Sequence, residues 1–135
     1  MTTALPQPDI TALNKPWWDA LAAGALTFQS CACNHKWLPP RAHCPICLSS
    51  DWRWTTASGH GTLLSWVVFH VSHHEAFAGR LPYNVAVVEL AEGPRMISAV
   101  TNSPDGRGLH IGMPLDLAIE QEDGISIPRF RKRTP

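Results

Sequence analysis

Outside one short window this chain has no cysteine. It has lysine only at Lys15, Lys36 and Lys132, a single tyrosine, and no formal net charge. Each scarcity excludes something. Eleven basic side chains cancel eleven acidic ones, which argues against a general affinity for nucleic acid or for an anionic membrane surface. No apolar run approaches the roughly 18 residues of a membrane span. The opening MTTALPQPDITALNKP has no basic stretch followed by an apolar core, so the expectation is a cytoplasmic protein without a membrane anchor. A Gly-rich phosphate loop, a GxSxG elbow and a regular alternation of strands with helices are all missing. Rossmann, P-loop and hydrolase readings therefore lose their support. What remains is an ordinary globular composition, 44% apolar and 16% charged, over 135 residues. That length suits one domain or two small ones.

The cysteines carry the most information. Cys31 and Cys33 form a CAC pair, and Cys44 and Cys47 follow in CPIC. Two short pairs separated by a loop can close a tetrahedron of thiolates around one metal ion, so the pattern reads as structural zinc rather than a disulfide framework. In CPIC the two intervening residues let backbone N–H groups point at sulfur, and Pro45 presets the turn. The CAC pair is one residue shorter than usual. In an extended chain its two side chains share a face, which still lets both reach one metal but with less help from the backbone. Zinc held by three or four cysteines is expected, with His35 or His43 able to replace a weak ligand. A ribbon that has lost its metal is the alternative.

Punctuation divides the chain into an arm and helix (1–29), a ribbon (30–54) and a β domain (55–135). Residues 1–13 carry prolines and little periodicity, and are expected to be a mobile arm. In NKPWWDALAAGAL, Asn14 or Lys15 can cap a helix, Pro16 suits its first turn and Gly24 stops it. Trp17, Leu21 and Ala25 then share a face, with Trp18 beside them. A helix that short must dock its aromatic face, on its own chain or on another subunit. LTFQSC reads as a strand into the first cysteine turn, and the prolines of WLPPR keep that stretch extended. In DWRW, Trp52 and Trp54 fall on one strand face and are expected to cover the junction with the next domain. Interleaving with Arg53 also fits stacking on single-stranded nucleic acid, but packing is the simpler role.

After Ser58 every segment looks like strand and turn. SGHGTLLSWVVFHV, YNVAVVEL, RMISAV, LDLAI and SIPRFR are separated by AEGP, SPDGRG and EDG. Five such strands fit a small OB barrel: a long first strand, a hairpin, then a Gly-containing crossover to two shorter strands. Two surfaces stand out. His70, His73, His74 and Glu75 gather just after a strand, with Phe77 and Tyr83 as apolar neighbours, as a loop that touches a partner or, less simply, a metal site or a general base. Arg129, Arg131 and Arg133 alternate, and if the last strand continues they share a face that could grip phosphate groups. A merely solvated basic terminus is the plainer reading. Arg41, between two prolines and the second cysteine turn, is a more ordered cation than that tail.

Taken in order, PWWDAL, LTFQSC, PPR between the cysteine pairs, CPIC, GHGTLLSW, PYNVAVVEL, IGMP and PRF resemble one family over roughly residues 14 to 131. This is the acyl-CoA-associated zinc-ribbon plus OB-fold family, domain of unknown function thirty-five. Its members pair CxxC with CxxC, so the CAC spacing departs at Cys31. The resemblance implies a mainly β fold with an N-terminal helix, a rubredoxin-like zinc ribbon and a five-stranded OB barrel. It also implies an accessory subunit of thiolase-superfamily enzymes, including acyltransferases and the lipid-transfer-protein-like aldolases of steroid side-chain breakdown, or of MaoC-type hydratases. The chemistry would belong largely to the partner, and a coenzyme A thioester is the ligand such a complex would handle. Trp17, Trp18 and the His70 to Tyr83 loop are then the expected contact surface. A stand-alone single-strand binder is the competing class, and neutral charge counts against it.

Overall fold

Strand-forming residues after Ser58 form strands, as their β-branched and aromatic content favours. The computed structural model describes residues 5–133. The first four residues of the expected arm and the last two of the chain lie outside the described residues. Helix α1 spans Lys15–Ala22, followed by β1 (Thr27–Cys31), β2 (Lys36–Trp37) and β3 (Trp52–Thr56) in a three-stranded sheet of order β2-β1-β3. The second sheet contains β4 (His60–Phe69), β5 (Tyr83–Leu90), β6 (Arg95–Ser98), β7 (Pro114–Glu122) and β8 (Ile125–Lys132), in the order β6-β5-β4-β7-β8 with every neighbour antiparallel. It curls until β6 and β8 approach, where one parallel bridge joins Val100 to Phe130. The protein is mainly β, with the expected helix, cysteine ribbon and curled five-stranded OB sheet.

Two local features let β4 serve both neighbours. Gly61 sits where a Cβ would lie 2.8 Å from Val88 Cγ1 and 3.2 Å from the Glu89 carbonyl, so only glycine lets β4 and β5 approach this closely. A bulge between Leu63 and Ser65 then bends the strand. The core is continuous across the chain. Leu21 of the helix, Leu26 beside it and Phe28 of β1 pack with Leu63, Val88, Leu90, Val100, Leu115 and Phe130 of the barrel. Helix and ribbon strand thus bury their apolar faces on the barrel. Asn84, almost fully buried, adds a polar clasp: its amide donates to the carbonyls of Val100 and Ser103 and accepts from the Val100 N–H.

Several local expectations are corrected. Asn14 is the residue before α1, but its side chain accepts from the Thr11 N–H instead of capping the helix. The described part of the arm is not loose. Leu5 N–H donates to Asp123, and Leu5 to Pro8 line a small cavity against Trp18, Ile125 and Ile127, so the prolines lay an extended apolar segment on the β7–β8 hairpin. Trp52 does not cover the domain junction. It stacks edge-on to Trp37 over the cysteines and donates its indole N–H to the Ala42 carbonyl. The last two strands are not short, at 9 and 8 residues, because their pairing runs unbroken from Leu115–Lys132 to Glu122–Ile125.

Candidate functional site

The four cysteines converge. Their sulfurs all lie within 4.8 Å of one another, with Cys31 3.4 Å from Cys47 and Cys33 3.7 Å from Cys44. A tetrahedral ion with metal–sulfur bonds of about 2.3 Å would need sulfur separations of about 3.8 Å. The observed spread brackets that value, so the group is able to hold a metal ion. Neither His35 nor His43 belongs to the cluster. His35 instead stacks on Trp37 at 5.8 Å.

The first turn differs from the expected extended CAC. Asn34 adopts a left-handed φ of 74°, Cys31 N–H donates to the His35 carbonyl and Asn34 N–H to the Cys31 carbonyl, so Cys31–His35 is a tight turn. Asparagine tolerates that conformation better than most residues, which is what the short spacing needs. The second turn repeats the design one residue longer: Leu48 has φ 64°, its N–H donates to the Cys44 carbonyl, and Cys44 N–H donates to Ser49. Both turns aim backbone N–H groups at sulfur. The Cys33 N–H is the largest single influence on Cys31 and favours its thiolate, but burial and the other three sulfurs outweigh it and push the thiol up to about 12. The His35 N–H likewise favours the Cys33 thiolate, as does the Cys31 sulfur, yet burial and the Cys47 and Cys44 sulfurs leave that thiol raised. For Cys44 burial is the largest influence and opposes ionisation, but the N–H groups of Cys47 and Ile46 with the Cys33 and Cys47 sulfurs hold the thiol at about 7. Sulfurs this crowded cannot all ionise without a cation among them, which is the donor chemistry a thiophilic metal requires.

A buried side chain missed in the sequence holds this site to β1. Gln29 is fully buried, accepts from the Arg41 N–H at 2.7 Å and donates to the Arg41 carbonyl at 2.6 Å. Its advance signal in LTFQSC was weak, because Gln29 sits between apolar Phe28 and polar Ser30. Arg41 is thus held through its backbone, leaving its side chain exposed.

The other singled-out residues fall into separate places. Trp17 and Trp18 meet edge to face at 4.8 Å, and the Trp17 indole donates to the Thr27 carbonyl. Both pack on the core and also line an apolar groove of about 440 Å³ with Leu38, Pro39, Met96 and Ile97. Residues 75–80 form a short 3-10 helix, Glu75–Arg80, capped by His74, whose Nδ1 accepts from the Ala76 N–H. The loop carries an aromatic ladder: His73 edge-on to Phe69, Phe69 stacked on Tyr83 at 5.3 Å, and Tyr83 beside Phe77. His70, His73, His74 and Glu75 do not form a metal-ligand group among the described residues.

The alternating arginines have different surroundings. Arg129 faces Glu120 and Glu122, Arg131 is exposed, and Arg133 reaches back to Asp116 and His60. Their carboxylate partners were legible only as acidic alternation in DLAIEQE, because the β7–β8 register decides who meets whom. Arg133, at 2.9 Å from Asp116, is the main reason that carboxyl is held below its usual range.

With this geometry in place, comparison with known proteins is decisive. Residues 54–120 match the family model of the ChsH2 C-terminal OB-fold domain. A chain of the solved Ltp2-ChsH2(DUF35) aldolase superposes with a TM-score of 0.83 at 36% identity, covering 93% of this chain and 98% of that one. The chain belongs to the DUF35 OB-fold family. This DUF35 chain is also 38% identical, over 96% of its length, to a probable enoyl-CoA hydratase alpha subunit of Thermomonospora curvata, of which it spans only 40%. A DUF35 domain-containing scaffold protein of Pyrococcus furiosus is 27% identical over 76% of this chain and 78% of that protein. No helix among the described residues is long and apolar enough to cross a membrane.

Proposed function

We propose that this chain is an accessory subunit of a cytoplasmic acyl-CoA-processing complex. It docks on a thiolase-superfamily enzyme, such as an acyltransferase or a lipid-transfer-protein-like aldolase, and organises it as a hetero-oligomer. The observation that carries this reading is the whole-chain likeness to a chain of the Ltp2-ChsH2(DUF35) aldolase, whose name joins two components. The hydratase relative adds a second coenzyme A thioester reaction, and the archaeal relative is named a scaffold. In this reading Cys31, Cys33, Cys44 and Cys47 hold a zinc ion. Four thiolates leave such an ion no open position for water, so it supplies structure and not a nucleophile. The Trp17/Trp18 groove and the His73 to Tyr83 aromatic ladder are the surfaces offered to the partner, because aromatic anchors dominate binding energy at protein interfaces.

The test is purification of the tagged chain from its native host at gentle salt, with mass spectrometry of whatever copurifies in stoichiometric amount. A thiolase-superfamily or MaoC-like enzyme is the expected companion. A monodisperse monomer that neither binds nor activates such an enzyme would remove the reading, and salt-sensitive oligonucleotide binding would replace it.

A further inference from the structure

The five-stranded sheet does not close along its whole length, and the reason is one residue. Leu90 N–H donates to the Pro94 carbonyl, and β5 and β6 pair through Val88–Met96 and Ala86–Ser98. In an antiparallel ladder every second pair is hydrogen-bonded, so the N–H and C=O of Arg95 and Ile97 point away from β5. On that outer side β8 engages the chain only from Ala99 onward: Phe130 N–H donates to the Ala99 carbonyl at 3.0 Å, and Thr101 N–H to the Phe130 carbonyl at 2.8 Å. One step earlier on this parallel seam, the donor facing the Ile97 carbonyl would come from residue 128. That residue is Pro128, which has no N–H. Its carbonyl accepts from the Ser98 hydroxyl at 2.9 Å. The seam therefore stops, and the backbone of Arg95 and Ile97 has no hydrogen-bonded strand beyond it among the described residues.

A cleft of about 470 Å³ opens beside this edge, lined by Ile97, Phe77, Tyr83, Glu120, Glu122 and Arg129, with the Arg80 guanidinium over the Phe77 ring at 5.7 Å. Arg80 is bonded to Glu122 at 2.9 Å. Arg129, only 23% exposed, has its two carboxylates at 3.6 Å each, beyond hydrogen-bond length. A guanidinium offers five N–H donors, and no hydrogen bond to a described residue occupies those of Arg129. Charge decides what complements the cleft. Two guanidiniums and two carboxylates leave no surplus for a polyanion, which sets aside nucleic acid despite the OB fold. A purely apolar ligand would leave the Ile97 backbone without a partner, and Arg129 with its two long ion pairs but no hydrogen-bond acceptor. A peptide backbone is neutral and alternates donors with acceptors, as both need.

We propose that β6 and this cleft receive an extended segment of the partner enzyme, added as a strand along Arg95–Ile97. A carbonyl of the segment accepts from Arg129, and an apolar side chain packs on Phe77 and Tyr83. The proposal rests on the accessory-subunit reading and specifies where that subunit is held.

The experiment uses the coexpressed complex with its enzyme subunit and two variants whose effects on stability differ. Ile97→Pro removes the outward N–H without touching the β5 ladder. It is expected to weaken the complex about tenfold while the free chain melts within a few degrees of wild type. Pro128→Val supplies the missing N–H, extends the seam to Ile97 and closes the gap. It is expected to raise the melting temperature and yet weaken the complex, an inverse coupling that a purely structural role does not produce. Independently of any variant, the Ile97 amide should gain protection from hydrogen exchange on complex formation. If the wild-type complex forms while both variants bind with unchanged affinity and Ile97 gains no protection, the docking site is wrong and the accessory role stands. If wild type binds no such enzyme, both fall.

Discussion

The ribbon buries Cys31, Trp37 and Cys44, flanked by Trp52, whereas the barrel buries a continuous cluster running from Leu21 and Phe28 through Val88 and Leu115 to Phe130. The ribbon's interior consists of thiols able to hold a metal ion and of indole rings, and the barrel's largely of hydrocarbon. A segment as short as residues 31–54 cannot bury enough apolar surface to offset its chain entropy. It is held by backbone turns, the Gln29 clasp and the converging thiols. The barrel needs no such help. Its buried Asn84 clasp ties a loop to a core that hydrophobic burial already stabilises. The two halves should therefore fail under different insults.

The largest separation is expected from the zinc ion proposed for the four cysteines. Removing a structural zinc ion forfeits on the order of 10 kcal/mol of folding energy in small metal-held units. Cys44→Ser or Cys47→Ser, or a strong chelator, should empty the site and loosen Trp37 and Trp52, read as a red shift and loss of tryptophan fluorescence. The far-ultraviolet signature of the barrel should survive. Full metal content and unchanged fluorescence in either variant would contradict a shared four-thiolate site, and simultaneous collapse of the barrel would deny the independence of the two halves. The converse insult is Phe130→Ala. Fully buried in the barrel, this side chain should cost about 3–5 kcal/mol on truncation, lowering the thermal midpoint while metal stoichiometry at low temperature stays at wild type. Loss of metal in the folded variant would show the ribbon to be subordinate to the barrel core.

The same contrast explains what could be read in advance. Strand positions in the barrel follow from alternation and turn residues, as in YNVAVVEL, where Asn84, Ala86, Val88 and Leu90 are buried and their neighbours less so. That the four cysteines would gather was equally open, because four of them in one window have few other uses, and the group they form is able to hold a metal ion. What escaped depends on conformation or pairing that composition does not encode. The CAC turn needs Asn34 in the left-handed region. The open seam needs Pro128 to fall against the end of β6, where its carbonyl meets Ser98, a neighbour remote in sequence. The pairing of Arg129 with Glu120 and Glu122 exists only once the β7–β8 register is set. Trp52 was placed on the correct strand face, but the object that face covers could not be known before the ribbon folded back on it.

The smallest expected effect lies at the barrel's polar rim, where Arg133 bridges Asp116 and His60. Arg133 is the first cause, and His60 a lesser one, of the lowered carboxyl pKa of Asp116, against the opposing effect of partial burial. A carboxyl whose folded pKa is depressed stabilises the protein above its unfolded pKa, near 3.9, and that contribution is lost as pH falls through the folded value. With Asp116 and Arg133 30% and 38% exposed, solvent screening keeps the contribution of the pair small. The difference in stability between wild type and Asp116→Asn should accordingly be small and level from pH 7 down to about 5, then vanish below the ordinary carboxylate range. Measured by urea unfolding with metal retained, a difference that grows on acidification would reverse the sign and show that Asp116 is strained, not stabilised, by its neighbours. Because this pair touches neither the cysteines nor the barrel core, Asp116→Asn should leave metal content unchanged. That makes it the control against which the two larger insults are read.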